Sequence, residues 1–311
     1  MTSGPTILGP GGPSGAVPAI DFETTKEIGF YHLVWRRFIA RKVALFSAVV
    51  IAILALFCYA GPLLPFAPGS RIDLTNVNAP PLSPGHVLGT DDVGRDLLRR
   101  IMEGGQISLA VGVLSALLTI VIATVLGALS GFFGGFVDSM VTGVTNAFLA
   151  IPSLLILVIF AKAFGQTVTT IVIGIALLSW PSTARIVRSV VLSVREKEFV
   201  EAARAVGTSR MRIMLRHLIP NALGPIVVSA SLTVGVAILT ESALSFLGLG
   251  ISPPTATWGS LLNEGRDQLS NGGSGFFFAL WPGLCILLTV LAVNYMGDAL
   301  RDAFDPRSIE R

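Results

Sequence analysis

The side chains best equipped for chemistry crowd into one stretch, residues 191–219. Arg195, Glu196, Lys197, Glu198, Glu201, Arg204, Arg210, Arg212 and Arg216 form the longest concentration of charge in the chain. Acids and bases mixed in this way suit recognition, where charges set the register of a contact. They do not suit covalent catalysis, because no nucleophile is paired with a base among them. Elsewhere the motifs of catalysis are missing. No G-x-x-x-x-G-K-[ST] loop cradles a phosphate, so the usual ATP site is absent. No H-E-x-x-H occurs, and His32, His86 and His217 are scattered, which argues against zinc. No G-x-S-x-G elbow presents a serine. Cys58 and Cys285 both sit in apolar runs, where a thiol packs as a small hydrophobe. Nothing interleaves aromatics with basic residues as a nucleic-acid surface would.

A second group of candidates lies inside apolar sequence. Glu241, flanked by Thr240 and Ser242, is costly if it faces lipid, so it is read either as lining a pathway or as a structural hydrogen-bonding group. Asn294 and Asp298 stand near the end of the last apolar run and fit a gate or a helix contact equally well.

The elements that must carry these residues follow from composition. Hydrophobic residues make up 52% of the 311 and charged residues only 13%, against about 25% charged in soluble chains. So few charges cannot cover a water-soluble surface, and the chain is read as an all-α polytopic membrane protein. Six apolar runs, at 43–65, 107–133, 139–161, 168–190, 222–247 and 276–298, each supply the ~20 residues that cross a ~30 Å hydrocarbon layer. They lack the alternation of barrel strands, and lipid leaves no backbone group unpaired, so each is expected to be a helix.

Around these spans the chain divides into an N-terminal segment 1–42, the first span 43–65, a Pro-rich outer loop 66–106, a five-helix core 107–298 and a tail 299–311. Within the outer loop, residues 90–103 read as a short amphipathic helix capped by Thr90, with Asp91 and Asp92 in its first turn. All of the 22 Lys and Arg except Arg71, Arg95, Arg99, Arg100, Lys162 and Arg266 fall on the side that holds both termini and the 191–219 loop. The positive-inside rule therefore puts both termini in the cytoplasm. Gly127, Gly131 and Gly135, spaced by four, are read as a close helix contact. Asn146 with Pro152 is read as packing in the third span in preference to a kink there, and Trp180-Pro181 is expected to bend the fourth.

The charged loop itself reads as two short helices. Ser193 and Glu196 have capping-box spacing, Gly207 suits a left-handed helix end, Ser209 can cap the second helix, and Pro220 is expected to stop it. Phe199, Ala202, Ala203 and Val206 would share a small apolar face. Such a loop is either a solvated connection or a knob that docks into a groove on a cytoplasmic partner.

Glu201-Ala202-Ala203, Gly207 and Ile219-Pro220 resemble the EAA loop of the membrane subunits of bacterial ABC importers, with His217 departing from the usual isoleucine. Leu88-Gly89-Thr90-Asp91 with Gly94-Arg95-Asp96, Phe246-Leu247-Gly248-Leu249-Gly250 and Gly297-Asp298 to Asp305-Pro306-Arg307 resemble the dipeptide, oligopeptide and nickel permease subfamily, most of all its C-type peptide permease. The resemblance covers about 30–311 and implies a type I ABC importer permease fold in the bacterial cytoplasmic membrane. It further implies a second, related permease, two ATPase subunits that hold ATP and Mg, an extracytoplasmic substrate-binding protein and a di- or oligopeptide substrate. Carried over by position, Glu201, Ala202, Ala203 and Gly207 would couple the chain to the ATPase, with Arg204 in the same loop. An ion-gradient-driven secondary transporter is the alternative reading. It calls for internal repeats and mid-membrane charge, and only Glu241 approaches the second.

Overall fold

A computed structural model describes residues 30–64, 68–69, 72–270 and 275–304. The first 29 residues of the N-terminal segment and residues 305–311 of the tail lie outside the described residues. Among those described, the regular elements are helices: α1 (Phe30–Ala40), α2 (Lys42–Tyr59), α3 (Leu97–Phe133), α4 (Gly135–Ala150), α5 (Ser153–Phe164), α6 (Val168–Arg195), α7 (Glu198–Ala205), α8 (Arg210–Ile213), α9 (Ile219–Phe246), α10 (Trp258–Ser270) and α11 (Gly275–Phe304). Among the described residues five stretches are long and apolar enough to cross a membrane, and α4 with α5, bent by 88°, adds a sixth if the pair is counted as one broken span.

Small residues decide how closely these helices approach. A Cβ on Gly127 would stand 2.6 Å from the Ala184 carbonyl, and one on Gly131 would stand 2.9 Å from that of Arg188. The α3–α6 seam therefore brings backbones into contact, as the glycine spacing predicts. Gly135 does not join this seam; it sits at φ +53° in the turn that opens α4, with nothing near its missing side chain. On its other side α3 packs on α9, where Gly112 faces Ile238. Helix α11 then packs on α9, α10 and α2, and Arg41, between α1 and α2, pairs with Asp302.

The expected separate helix at 90–103 is not formed. Thr90 caps nothing; Asp96 is the N-cap, its carboxylate accepting the Arg99 amide at 3.0 Å, and from Leu97 the helix runs unbroken to Phe133. The reason lies in two glycines. Gly89 (φ +83°) and Gly94 (φ +79°) hold left-handed conformations that end any helix before Asp96. Asp91, fully buried, fills the turn: its Oδ1 accepts the amides of Val93 (3.0 Å) and Arg95 (2.7 Å), and its Oδ2 accepts Arg95 Nε (2.6 Å) and Arg100 Nη1 (3.0 Å). Arg100 reaches on to Glu264 of α10, with Nη2 at 2.9 Å from Oε1. His86 Nδ1 lies 2.9 Å from Asp96 Oδ2, and its Nε2 lies 3.6 Å from Asp73. This buried ionic knot fastens the 72–96 loop to the starts of α3 and α10, because a charge taken out of water must be paired.

Candidate functional site

The charged loop folds into an elbow between α6 and α9. Helix α6 runs through Pro181 and on to Arg195, so the capping box expected at Ser193 does not form; the Ser193 hydroxyl donates to Val190 O inside α6 instead. Lys197 is the N-cap of α7, and Glu198 and Glu201 occupy its positive first turn. Its end is a Schellman closure. Thr208 N donates to Ala203 O (3.0 Å) and Gly207 N to Arg204 O (3.0 Å), with Gly207 at φ +77°. Pro220 does not stop the next helix. Residues Met214–Leu218 form a π-helical turn that joins α8 to α9, so Arg210–Phe246 is one continuous rod.

One residue anchors α7. Val200 is fully buried, in a cluster with Phe132, Val187, Val191, Ile213, Met214 and Leu218. The face expected from Phe199, Ala202, Ala203 and Val206 is mostly turned outward, Phe199 at 44% and Val206 at 82% exposure. Glu201, Ala202, Arg204 and Gly207 are exposed, and Ala203 is half-buried. The elbow thus presents a small apolar face edged by charge, while Val200 holds it to the bundle. Arginines of α6 tie the helix that leads into it to α3 and α4. Arg195 donates to the Gly131 and Phe132 carbonyls (3.2 and 3.3 Å), which close the end of α3. Arg188 grips Asp138 with two bonds of 2.5 and 2.6 Å, and Asp138 also accepts the Ser130 hydroxyl at 2.5 Å. Arg185 bonds Asn146 at 2.7 Å.

A second feature went unread in the sequence. At the 88° break a cleft of about 500 Å³ opens between α4–α5, α6 and α9, its wall a mixture of apolar residues such as Phe148, Ile151 and Leu232 with Ser153, Ser179, Ser182, Thr183, Ser229 and Thr233. Ser153 and Ser182 are exposed, as are Asn146 and Arg185. Broken backbone at membrane depth survives only where protein covers it or water fills it. Pro152 and the scattered serines were the available signals, but hydroxyls on three separate segments become a site only once the helices are assembled.

Glu241 and Asn294 are not brought to that cleft. Glu241 is fully buried; its Oε1 accepts Ser245 Oγ (2.7 Å) and its Oε2 accepts Ser108 Oγ (3.3 Å). Ser108 Oγ in turn accepts the Trp258 amide (3.1 Å), so this carboxylate ties α9 to α3 and α10. Asn294, half-buried, lies against Gly235 in the α9–α11 contact.

Comparison with known proteins agrees with this arrangement. The family described as "Binding-protein-dependent transport system inner membrane component" matches residues 123–310, and "N-terminal TM domain of oligopeptide transport permease C" matches residues 29–81. The chain is 37% identical over 274 residues to the glutathione transport system permease protein GsiD of Pectobacterium atrosepticum, covering 88% of this chain and 90% of that one. It is 40% identical over 274 residues to the oligopeptide transport system permease protein OppC of Haemophilus influenzae, covering 88% and 87%. A putative peptide permease protein of Brucella suis is 41% identical over 273 residues, covering 88% and 89%. Among solved structures, the MetNI methionine ABC transporter in an inward-facing conformation superposes with a TM-score of 0.54 over 66% of this chain and 96% of that one, at 19% identity, a likeness of fold.

Proposed function

This chain belongs to the family of binding-protein-dependent transport system inner membrane components, and from that premise we propose how its parts divide the work of uptake. It is the multi-pass inner-membrane subunit of an ABC importer, and ATP hydrolysis lies in separate subunits. The reading proposed here is that α7 is the coupling helix. Glu201, Ala202, Ala203 and Gly207 would rest in a groove of the ATPase, which holds ATP and Mg, with Arg204 at the edge of that contact where it lines the neighbouring cleft, and with both termini of the chain in the cytoplasm. The observation that carries it is an α7 that is short, closed at Gly207, fixed by buried Val200 with Ala203 packed beside it, and exposed at Glu201, Ala202, Arg204 and Gly207.

The cleft at the break between α4 and α5 would be this chain's half of the pathway, completed by a second, related permease and supplied by an external binding protein. Lined by uncharged hydroxyl-bearing and apolar residues together, it suits di- or oligopeptides, whose backbones offer hydrogen-bond partners and whose side chains vary. Glu241 and Asn294 would serve that pathway indirectly, as the joints that hold α9 against α3, α10 and α11.

Gly207→Asp and Glu201→Lys are expected to leave insertion and assembly intact while peptide uptake per ATP hydrolysed falls at least tenfold, about 1.4 kcal/mol of coupling. Reconstituted vesicles measured for both uptake and hydrolysis test this. Wild-type uptake in both variants counts against α7 as the coupling element.

A further inference from the structure

We infer that a basic cleft between the end of α3 and the α6–α9 elbow is a binding site for the phosphate headgroup of an anionic phospholipid. The inference does not depend on what the importer carries. The cleft holds about 520 Å³ and gathers the guanidinium groups of Arg195, Arg204 and Arg210 around the Thr208 hydroxyl. Its single carboxylate, Glu196, is already paired with Arg195 Nε at 3.0 Å. Arg195 is also fixed by the α3 carbonyls, and in capping them it offsets the negative end of that helix, which would otherwise repel an anion. Arg204 and Arg210 have no carboxylate within 4.0 Å among the described residues. Two unpaired planar guanidiniums and a hydroxyl facing one concave space are the donor set a phosphate takes.

The walls point to a lipid rather than a free anion. Phe132 and Phe133 close the cleft on the last turn of α3, where an apolar span ends and headgroups begin. Phe133 is 42% exposed, and the apolar surface continues onto α4 through Phe136 at 82% and Met140 at 61%, a track for acyl chains. Basic pockets at the ends of membrane helices take anionic headgroups in this way. A phosphate held by Arg204, at the end of α7, and Arg210, at the start of α8, spans the Gly207 turn and locks the two helices of the elbow together.

The test uses the intact importer, with its partner permease and ATPases, in phosphatidylcholine nanodiscs with and without phosphatidylglycerol. Native mass spectrometry is expected to show phosphatidylglycerol retained by the wild type. Arg210→Gln should weaken retention about tenfold, Thr208→Val should weaken it less, and Arg210→Lys should fall between Gln and wild type. If Arg210→Gln fails to assemble, a photocrosslinker replacing Thr208 gives an independent readout and should yield a lipid adduct. Equal retention in wild type and variants overturns the site. So does inorganic phosphate displacing phosphatidylglycerol at comparable concentration, which would make it a free-anion site. A crosslink from position 208 to an ATPase subunit assigns the cleft to that protein and overturns the lipid as well.

Discussion

A Cβ added at Gly94 would be driven into the carbonyl of Asp73, at a φ of +79° that side-chain-bearing residues avoid. Gly94→Ala should therefore destabilise the 72–96 loop by about 1–3 kcal/mol, read as a lowered melting temperature of the purified chain with protease cleavage within that loop. Asp73 adds a pH dependence. The Thr75 hydroxyl (2.5 Å), then the Asn76 amide (2.8 Å) and the Thr75 backbone amide (3.0 Å), hold its carboxyl well below the usual carboxylate range. A carboxyl depressed in the folded state contributes stability above its unfolded value, near pH 4, and loses it as pH falls further. Protease protection of the loop should fall less steeply below about pH 4 in Asp73→Asn than in the wild type; equal slopes would remove Asp73 from the account. At this scale the sequence was partly readable. The Gly207 helix end could be foreseen because one residue type answers one conformation. Asp91 could be seen as an acid near a helix start, but its place could not, since Gly89 and Gly94 reverse the chain around it and deliver it to Arg100.

The broken and irregular helices depend on more than one segment. An excess residue in a π turn rotates everything beyond it, by about 100° per residue. Deleting Leu215 from Met214–Leu218 should restore α-helical register and swing α7 and α8 around the axis of α9. Assembly should survive and hydrolysis should no longer drive uptake; normal coupling in that deletion would show the π turn to be dispensable. Pro220 suggested a helix stop because proline lacks an amide donor, but the wider turn before it absorbs the loss. Helix α10 carries a start signal in its sequence. Thr257 and Ser260 cap each other, Thr257 N to Ser260 Oγ at 2.9 Å and Ser260 N to Thr257 Oγ1 at 3.1 Å, ahead of the buried Trp258 and Leu261. Apolar length alone marked the long helices, and Pro152 marked the place of the break, but its 88° angle and the cleft beside it depend on α6 and α9.

For the whole molecule, the proposed pathway face makes a prediction about water access. In a chain with Cys58 and Cys285 replaced by serine, Ser182→Cys should react with a water-soluble maleimide in the assembled importer and crosslink to the second permease. Quenching of a label at that position by a lipid-soluble spin probe would instead put the cleft against the bilayer. Opposite ends of the chain are joined by α3. Its 37 residues extend for about 55 Å, farther than the hydrocarbon layer is thick. One end is knotted to the 72–96 loop through Asp96 and Arg100, and the other is gripped by Arg195 directly above α7. On the reading proposed above, in which α7 seats on an ATPase, α3 is one continuous rod from the 72–96 loop to the neighbourhood of that contact. Binding free energies being reciprocal, a ligand that displaced the outer end of the rod would then alter the nucleotide affinity at its other end.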